Sequence, residues 1–218
     1  MKRTFGADEA GRGPILGPMV VAVVALDRGG AIALRKRGIA DSKSFGAGAD
    51  AIARRAELAA IVRERALCFA SRAIEVEEID RYTFRGQLNA LERITVLDLL
   101  ETIGCGPDEK IICDGAVLFS PLRAHFPNLQ AVNRGEEAHA AVAAASILAK
   151  DERDQAFAAI AARYEPEFGP IRGGGYLNAA TRRFLDAYQE RHGELPPEAR
   201  KSWGAPKADP TLPLFEDA

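Results

Sequence analysis

Eight consecutive residues, Met19-Val-Val-Ala-Val-Val-Ala-Leu26, are apolar without interruption. The run is β-branched, too short for a comfortable helix and apolar on both faces, so it predicts a central strand covered on both sides. Such a strand needs a sheet with helices packed on it. It is also the longest apolar stretch of the chain, far below the roughly 20 residues that a membrane-spanning helix requires. Met1 leads straight into charged residues instead of a signal-peptide core, so a cytoplasmic protein is expected.

The rest of the chain fits an α/β reading. Thr4 to Glu9 alternates as a half-buried strand does, with Phe5 and Ala7 on one side. Gly46 to Arg65 has apolar residues at helical spacing, Cys68 to Val76 resumes strand character, and residues 78 to 103 predict one long helix stopped by Gly104. Ile94 and Leu97 widen its apolar face. Lys110 to Asp114 and Leu129 to Asn133 are further strands, and Ala138 to Tyr164 is Ala-rich and helical. Beyond Pro166 a glycine-rich loop precedes a helix over Ala179 to Arg191, and from Pro206 the chain loses any helical period. The expected organisation is a core over residues 1–165, a helical appendix packed on it over 166–205 and a flexible tail over 206–218.

Composition narrows the function. In 218 residues there are 29 Lys and Arg against 31 Asp and Glu, a net charge of −2. No global basic field advertises nucleic-acid binding, so any polyanion site is local. Three cysteines, Cys68, Cys105 and Cys113, lack C-x-x-C spacing, which argues against a disulfide framework and a structural zinc.

Asp8-Glu9 ends the first strand. Adjacent carboxylates there repel one another and lose solvation, which a divalent cation resolves, although a solvated strand end is the plainer reading. Consecutive strand side chains point to opposite faces, so both reach one ion only if the strand ends or twists there. Gly11-Arg12-Gly13-Pro14 follows. Its spacing to Gly17 does not fit a dinucleotide fingerprint, and it opens onto a strand instead of a helix. What remains is an NH-rich loop with Arg12 beside two carboxylates, open to a polyanionic backbone. Asp114, after Cys113, tips a second strand, and two acid-tipped strands favour a shared metal centre. Glu136-Glu137 adds carboxylates, or simply complements a helix dipole.

Taken together, Asp8-Glu9-Ala10-Gly11-Arg12-Gly13-Pro14, Ala40-Asp41-Ser42-Lys43, Cys113-Asp114-Gly115, Ala144-Ala-Ser-Ile-Leu-Ala-Lys150 with Arg153-Asp154, Gly175-Tyr176 and Lys201-Ser202-Trp203 resemble bacterial type 2 ribonuclease H (ribonuclease HII) in order and spacing, from near residue 5 to near residue 204. The related type 3 enzymes carry an extra N-terminal domain, and the Asp-Glu pair at residue 8 makes type 2 the closer match. The resemblance implies a ribonuclease H-like mixed sheet flanked by helices. It implies an endonuclease that hydrolyses the RNA strand of RNA/DNA hybrids and nicks duplex DNA 5′ of embedded ribonucleotides, leaving 5′-phosphate and 3′-hydroxyl ends. It also implies two divalent ions, Mn²⁺ or Mg²⁺, as cofactors. Asp8, Glu9 and Asp114 match three metal-binding carboxylates. The fourth is usually an aspartate in Lys-Gly-Asp or Lys-Ala-Asp; here Glu136 aligns, in Arg134-Gly135-Glu136, with Glu137 as the competing assignment. Gly11, Arg12 and Gly13 match the turn that reads the ribose 2′-hydroxyl, Tyr176 the tyrosine that stacks under the adjoining deoxyribose, and Lys43 and Lys150 basic positions near the phosphates. The usual Thr and His after Gly-Tyr are replaced by Asn178 and Thr181, and Tyr82 to Asn89 lacks the usual Asn-Ile pair.

The chemistry agrees with the resemblance. Two ions roughly 3.5 to 4 Å apart serve an in-line water and a leaving oxygen, and carboxylates select Mg²⁺ or Mn²⁺. His125, His139 and His192 have no ligand spacing to one another. Asp154 falls on the buried side of its helix and is expected to find a partner such as Arg12. Trp203 is expected to clamp a terminal segment in preference to stacking on a base. In the tail, Thr211-Leu212-Pro213-Leu214-Phe215 resembles the Gln-Leu-x-Leu-Phe peptide that binds the bacterial sliding clamp; packing onto the protein's own surface is the alternative. A monomer is expected. Two other readings are a catalytically weak nucleic-acid-binding protein of the same fold and another two-metal nuclease such as a resolvase.

Overall fold

The structure, a computed structural model, describes residues 2–39, 46 and 48–203. Lys43 with the rest of its Ala40–Lys43 motif, and the tail with Thr211 to Phe215, lie outside the described residues. Within them the chain forms two compact units, each assembled from three stretches: residues 2–10, 20–73 and 92–152 in the first, and 11–19, 74–91 and 153–203 in the second.

The first unit holds a five-stranded mixed sheet in the order β3-β2-β1-β4-β5. The strands are β1 (Thr4–Ala10), β2 (Met19–Leu26), β3 (Cys68–Ile74), β4 (Lys110–Asp114) and β5 (Leu129–Val132). β2 runs antiparallel to β1, with Thr4 opposite Leu26 and Ala10 opposite Val20. β4 is parallel to both β1 and β5. All eight residues of β2 are buried. Each of its valines contributes about 1.5–3 kcal/mol by leaving water. Val20, Ala22, Val24 and Leu26 share a core with Leu34 of α1 (Arg28–Lys36), with Leu58, Ala59 and Val62 of α2 (Ala49–Arg65) and with the alanines at the start of α7 (Ala140–Phe168).

β1 is buried on both faces, where the alternation suggests one: Phe5, Gly6, Ala7 and Asp8 are all buried. The reason is its central place in the sheet and the nearness of α7. A Cβ on Gly6 would stand 2.1 Å from the Ala141 carbonyl carbon. Glycine in the strand and alanines on the helix let the two backbones approach.

The long helix expected over residues 78–103 is two helices, α3 (Val76–Thr83) and α4 (Leu88–Thr102). Gly86 has φ 68°, its N–H donates to the Thr83 carbonyl, and the Gln87 N–H donates to the Tyr82 carbonyl. That is a Schellman end, which stops a helix as firmly as Gly104 does at the end of α4. Ile94 is exposed and Leu97 only half-buried, so neither widens a buried face as expected, and Phe84 at the break is exposed as well.

Two short helices, α5 (Ala116–Phe119) and α6 (Gly135–Ala138), follow β4 and β5. The second unit includes α8 (Ala179–His192), capped by the Asn178 side chain on the Ala180 and Thr181 N–H groups and closed by left-handed Gly193. Its core gathers Leu16, Ile171, Phe184, Leu185 and Ala199, with the rings of Tyr164, Phe168 and Tyr188 packed around Phe184. No helix among the described residues is long and apolar enough to cross a membrane.

Candidate active site

Parallel pairing of β1 with β4 sets Ala7 opposite Cys113, which brings the next residues, Asp8 and Asp114, level at the carboxyl ends of adjacent strands. Glu136 of α6 completes a cluster: one carboxylate oxygen from each of the three lies within 4.8 Å of the others. Asp8 and Glu136 are buried and Asp114 is half-buried.

Local turns aim these side chains. After β4, Gly115 takes φ 115°, its N–H donates to the Val132 carbonyl, and the Ala116 N–H donates to Asn133 Oδ1 at 3.0 Å. After β5, Arg134 takes φ 57° and ψ 42°, the left-handed region. For a residue with a Cβ that conformation costs about 1 kcal/mol. It turns the chain so that the Gly135 N–H donates to Asp114 Oδ1 at 3.2 Å, with Glu136 buried and Glu137 exposed. Gly135 itself sits where a Cβ would meet Val132 at 3.0 Å and Val142 at 3.2 Å.

The electrostatics are unfavourable for three bare carboxylates. Burial, then the Glu9 charge, push the Asp8 carboxyl up to about 8, and Asp114 adds to the effect. Lys150 opposes it, as does the Ser146 hydroxyl, which is fully buried on α7 and close to Asp8 but outside good hydrogen-bonding geometry. Glu9 stays outside the three-carboxylate group, as strand alternation dictates, and its N–H donates to Asp8 Oδ1 at 2.9 Å. Oxygen donors crowded this closely fit a hard divalent cation, whose charge relieves their repulsion. Burial pushes the Cys113 thiol up, so it remains protonated and adds no soft ligand. His125 and His192 are exposed, and no histidine joins the cluster.

Sequence reasoning missed Ser146 as a neighbour of Asp8. Asp154 is half-buried, whereas Asp151 is buried and accepts from both terminal nitrogens of Arg63 at 3.1 Å.

In the second unit, the turn of Gly11, Arg12 and Gly13 is built around arginine side chains. Arg200, 1% exposed, donates to the carbonyls of Gly11 (2.6 Å), Arg12 (3.0 Å) and Gly17 (2.9 Å). Arg153 donates to the carbonyls of Leu16 (2.7 Å) and Gly174 (2.9 Å). Because a trans peptide points its N–H opposite to its carbonyl, the N–H groups of Arg12 and Gly13 face away from Arg200. Gly11 has φ 85°, and a Cβ there would collide with Arg153 at 2.7 Å. Arg12 donates to Asn89 Oδ1, and Trp203 donates from Nε1 to the Gly13 carbonyl at 3.0 Å, so the tryptophan does clamp a backbone segment. The Tyr176 ring lies over Gly13, 57% exposed. Arg200 itself was not singled out from sequence, since a buried arginine reads as a surface one until its carbonyl partners are known.

A mixed sheet in this order, with acids at the carboxyl ends of adjacent β1 and β4, defines a ribonuclease H-like hydrolase. Residues 5–205 match the Ribonuclease HII family. The chain is 38% identical to the ribonuclease HII of Laribacter hongkongensis, over 94% of this chain and 93% of that protein. Among solved structures, it resembles the ribonuclease H2 of Pyrococcus horikoshii OT3 with a TM-score of 0.78 and 27% identity, covering 92% of this chain and 93% of the other. It also resembles the ribonuclease HII in the PCNA:RNase HII complex from Archaeoglobus fulgidus, with a TM-score of 0.75, 27% identity and coverage of 99% and 98%. The chain belongs to the Ribonuclease HII family: it is a metal-dependent endoribonuclease with ribonuclease H activity on RNA/DNA.

Proposed function

We propose that the protein hydrolyses the RNA strand of RNA/DNA hybrids and nicks duplex DNA on the 5′ side of embedded ribonucleotides. The observation that carries this reading is the cluster of Asp8, Asp114 and Glu136 within 4.8 Å. These three residues, with Glu9 from the matching motif, would hold two divalent ions, Mg²⁺ or Mn²⁺, which would supply an activated water and stabilise the leaving oxygen. The water oxygen bonds to phosphorus and the 3′ oxygen leaves, giving a 5′-phosphate and a 3′-hydroxyl.

The chain's own groups select the bond. The 2′-hydroxyl is what distinguishes RNA from DNA, and the outward N–H groups of Arg12 and Gly13, next to Gly11, read it. The exposed ring of Tyr176 offers a stacking surface for the deoxyribose that follows. Lys150, whose charge already favours ionised Asp8, attracts the phosphate, and Lys43 has the same role on the strength of its motif. The tail peptide Thr211 to Phe215 docks on a sliding clamp, a reading supported by the clamp complex of the Archaeoglobus relative. Deleting residues 210–218 should abolish clamp binding and leave cleavage of a short duplex unchanged.

The test of the main reading is incubation with a duplex containing one ribonucleotide, with Mn²⁺ or Mg²⁺ and then with chelator. A single metal-dependent nick 5′ of the ribonucleotide is the expected result. Equal cutting of an all-DNA duplex, or no cutting with either ion, overturns it.

A further inference from the structure

While β1 and β4 end in acids, they begin among cations. Lys2 ahead of β1, Arg28 and Arg35 on α1, Lys110 at the start of β4, and His139 between α6 and α7 line a cleft of about 280 Å³ in the first unit. The sheet register explains the convergence, since Thr4 lies opposite both Leu26 and Lys110. The cleft is distinct from the carboxylate cluster: Lys110 precedes Asp114 by four residues of extended strand, roughly 13 Å.

Three features mark the cleft as an anion site. First, its four formal cations face one carboxylate, Asp27, which is already engaged in capping α1 through the Gly30 N–H at 2.7 Å. Second, the cleft borders the starts of α1 and α7, where helix dipoles add partial positive charge. Third, burial, then the charges of Lys110 and Arg35, hold the half-buried His139 imidazole below its usual range, in keeping with the cationic lining. Arginine forks suit tetrahedral phosphate oxygens bidentately. The Arg35 fork is partly pre-set by donating to the Ala138 carbonyl at 2.8 Å. Leu26 and Ile112 supply an apolar wall, which leaves the rim to carry the recognition. The volume sits at the low end for small-molecule sites, too small to enclose a dinucleotide.

We propose that this cleft binds a small, multiply charged phosphate of about the size of pyrophosphate, separately from the catalytic carboxylates. The phosphate group is either that of a free phosphate compound or one carried by a nucleic acid.

The experiment titrates inorganic pyrophosphate into the full chain freed of divalent ions by dialysis and follows backbone amide resonances. Saturable shifts at Asp27–Ala31 and His139–Ala141 are expected. Arg28→Gln with Lys110→Gln, two exposed positions outside the catalytic machinery, should lower the affinity at least about tenfold, or 1.4 kcal/mol, with cleavage at a ribonucleotide unchanged. Each single variant should lower it about threefold, about 0.7 kcal/mol, which keeps the test available if the double variant unfolds. Asp114→Asn should bind pyrophosphate as wild type does, so loss of cleavage and loss of this site are separable. Absence of saturation by about 10 mM, equal affinity in the charge-neutralised variants, or loss of binding in Asp114→Asn overturns the proposal. In a second arm, displacement of pyrophosphate by an all-DNA duplex supports the site with nucleic acid as the source of the phosphate. Failure to displace supports it with a free phosphate compound as the source.

Discussion

Arg200 and Gly11 are joined by a 2.6 Å hydrogen bond from a buried guanidinium to a backbone carbonyl, across 189 residues of chain. The same guanidinium holds Arg12 and Gly17, so one side chain sets three carbonyls of the turn. Its pKa is lowered to about 10, chiefly by burial and then by the charge of Arg153. Even so it remains charged at neutral pH, and its fork donates to several carbonyls at once.

Arg200→Ala should therefore destabilise the protein by about 3 kcal/mol, read by urea unfolding, because it strands buried carbonyls. Arg200→Lys retains charge but not the fork. It should keep most of the stability while lowering discrimination between ribonucleotide and deoxyribonucleotide duplexes about tenfold. Unchanged discrimination in a folded Arg200→Lys would mean that the turn's geometry does not read the sugar.

The buried Asp8 carboxyl makes the metal-free protein sensitive to pH. Its folded pKa of about 8 lies above the ordinary carboxylate value, so the protonated form is favoured by folding. That contribution is complete below about pH 4 and is lost as pH rises through 8. Among metal-free samples, Asp8→Asn should thus raise the melting temperature at pH 8 relative to wild type and change it little at pH 4. It should also remove at least about 99% of cleavage. Calorimetric melts at both pH values decide, and a lower melting temperature of Asp8→Asn at pH 8 contradicts the cluster's electrostatics.

Glu136 is 2% exposed within the cluster and Glu137 faces solvent, so their alanine variants should behave oppositely. Glu136→Ala should cut turnover at least about 100-fold and Glu137→Ala less than about twofold. The longer Glu side chain should also favour Mn²⁺ over Mg²⁺, whose octahedral geometry is stricter, and Glu136→Asp should narrow that preference. Rates measured with each ion check both statements; the reverse pattern for the two alanine variants would shift the assignment by one residue.

Tyr176 is more than half exposed, so Tyr176→Ala should change stability by less than about 0.5 kcal/mol. Cleavage at a lone ribonucleotide should fall more than cleavage of continuous hybrid, because the RNA-to-DNA step exists only in the former. Equal losses on both substrates would make the tyrosine a packing partner of Gly13 alone.

Much of the fold was legible where a rule is local. The run from Met19 to Leu26 announced a strand covered on both faces, and Gly104 announced a helix end, because strand period and helix termination act over a few residues. Gly86 carried the same stop signal, yet the apolar period running past it concealed the break until the Thr83 and Tyr82 carbonyls were seen to accept. Asp8 and Asp114 were readable as strand-end acids, while their meeting depended on β1 and β4 being neighbours, which follows from sheet order.

Sequence by itself determined the residue types and spacings: the acids after apolar strands, the Gly-Arg-Gly turn, the tyrosine after a glycine loop, and with them the family. Tertiary structure alone decided that Glu136 and not Glu137 is buried beside Asp8. It also decided that Arg200 holds the turn and that Lys2, Arg28, Arg35, Lys110 and His139 share a cleft. The physical reason is range. Helix and strand periodicity and turn chemistry are set by neighbours within about five residues, whereas these relationships join segments brought together by strand pairing, by one left-handed residue at Arg134 and by the burial of an arginine under a distant loop.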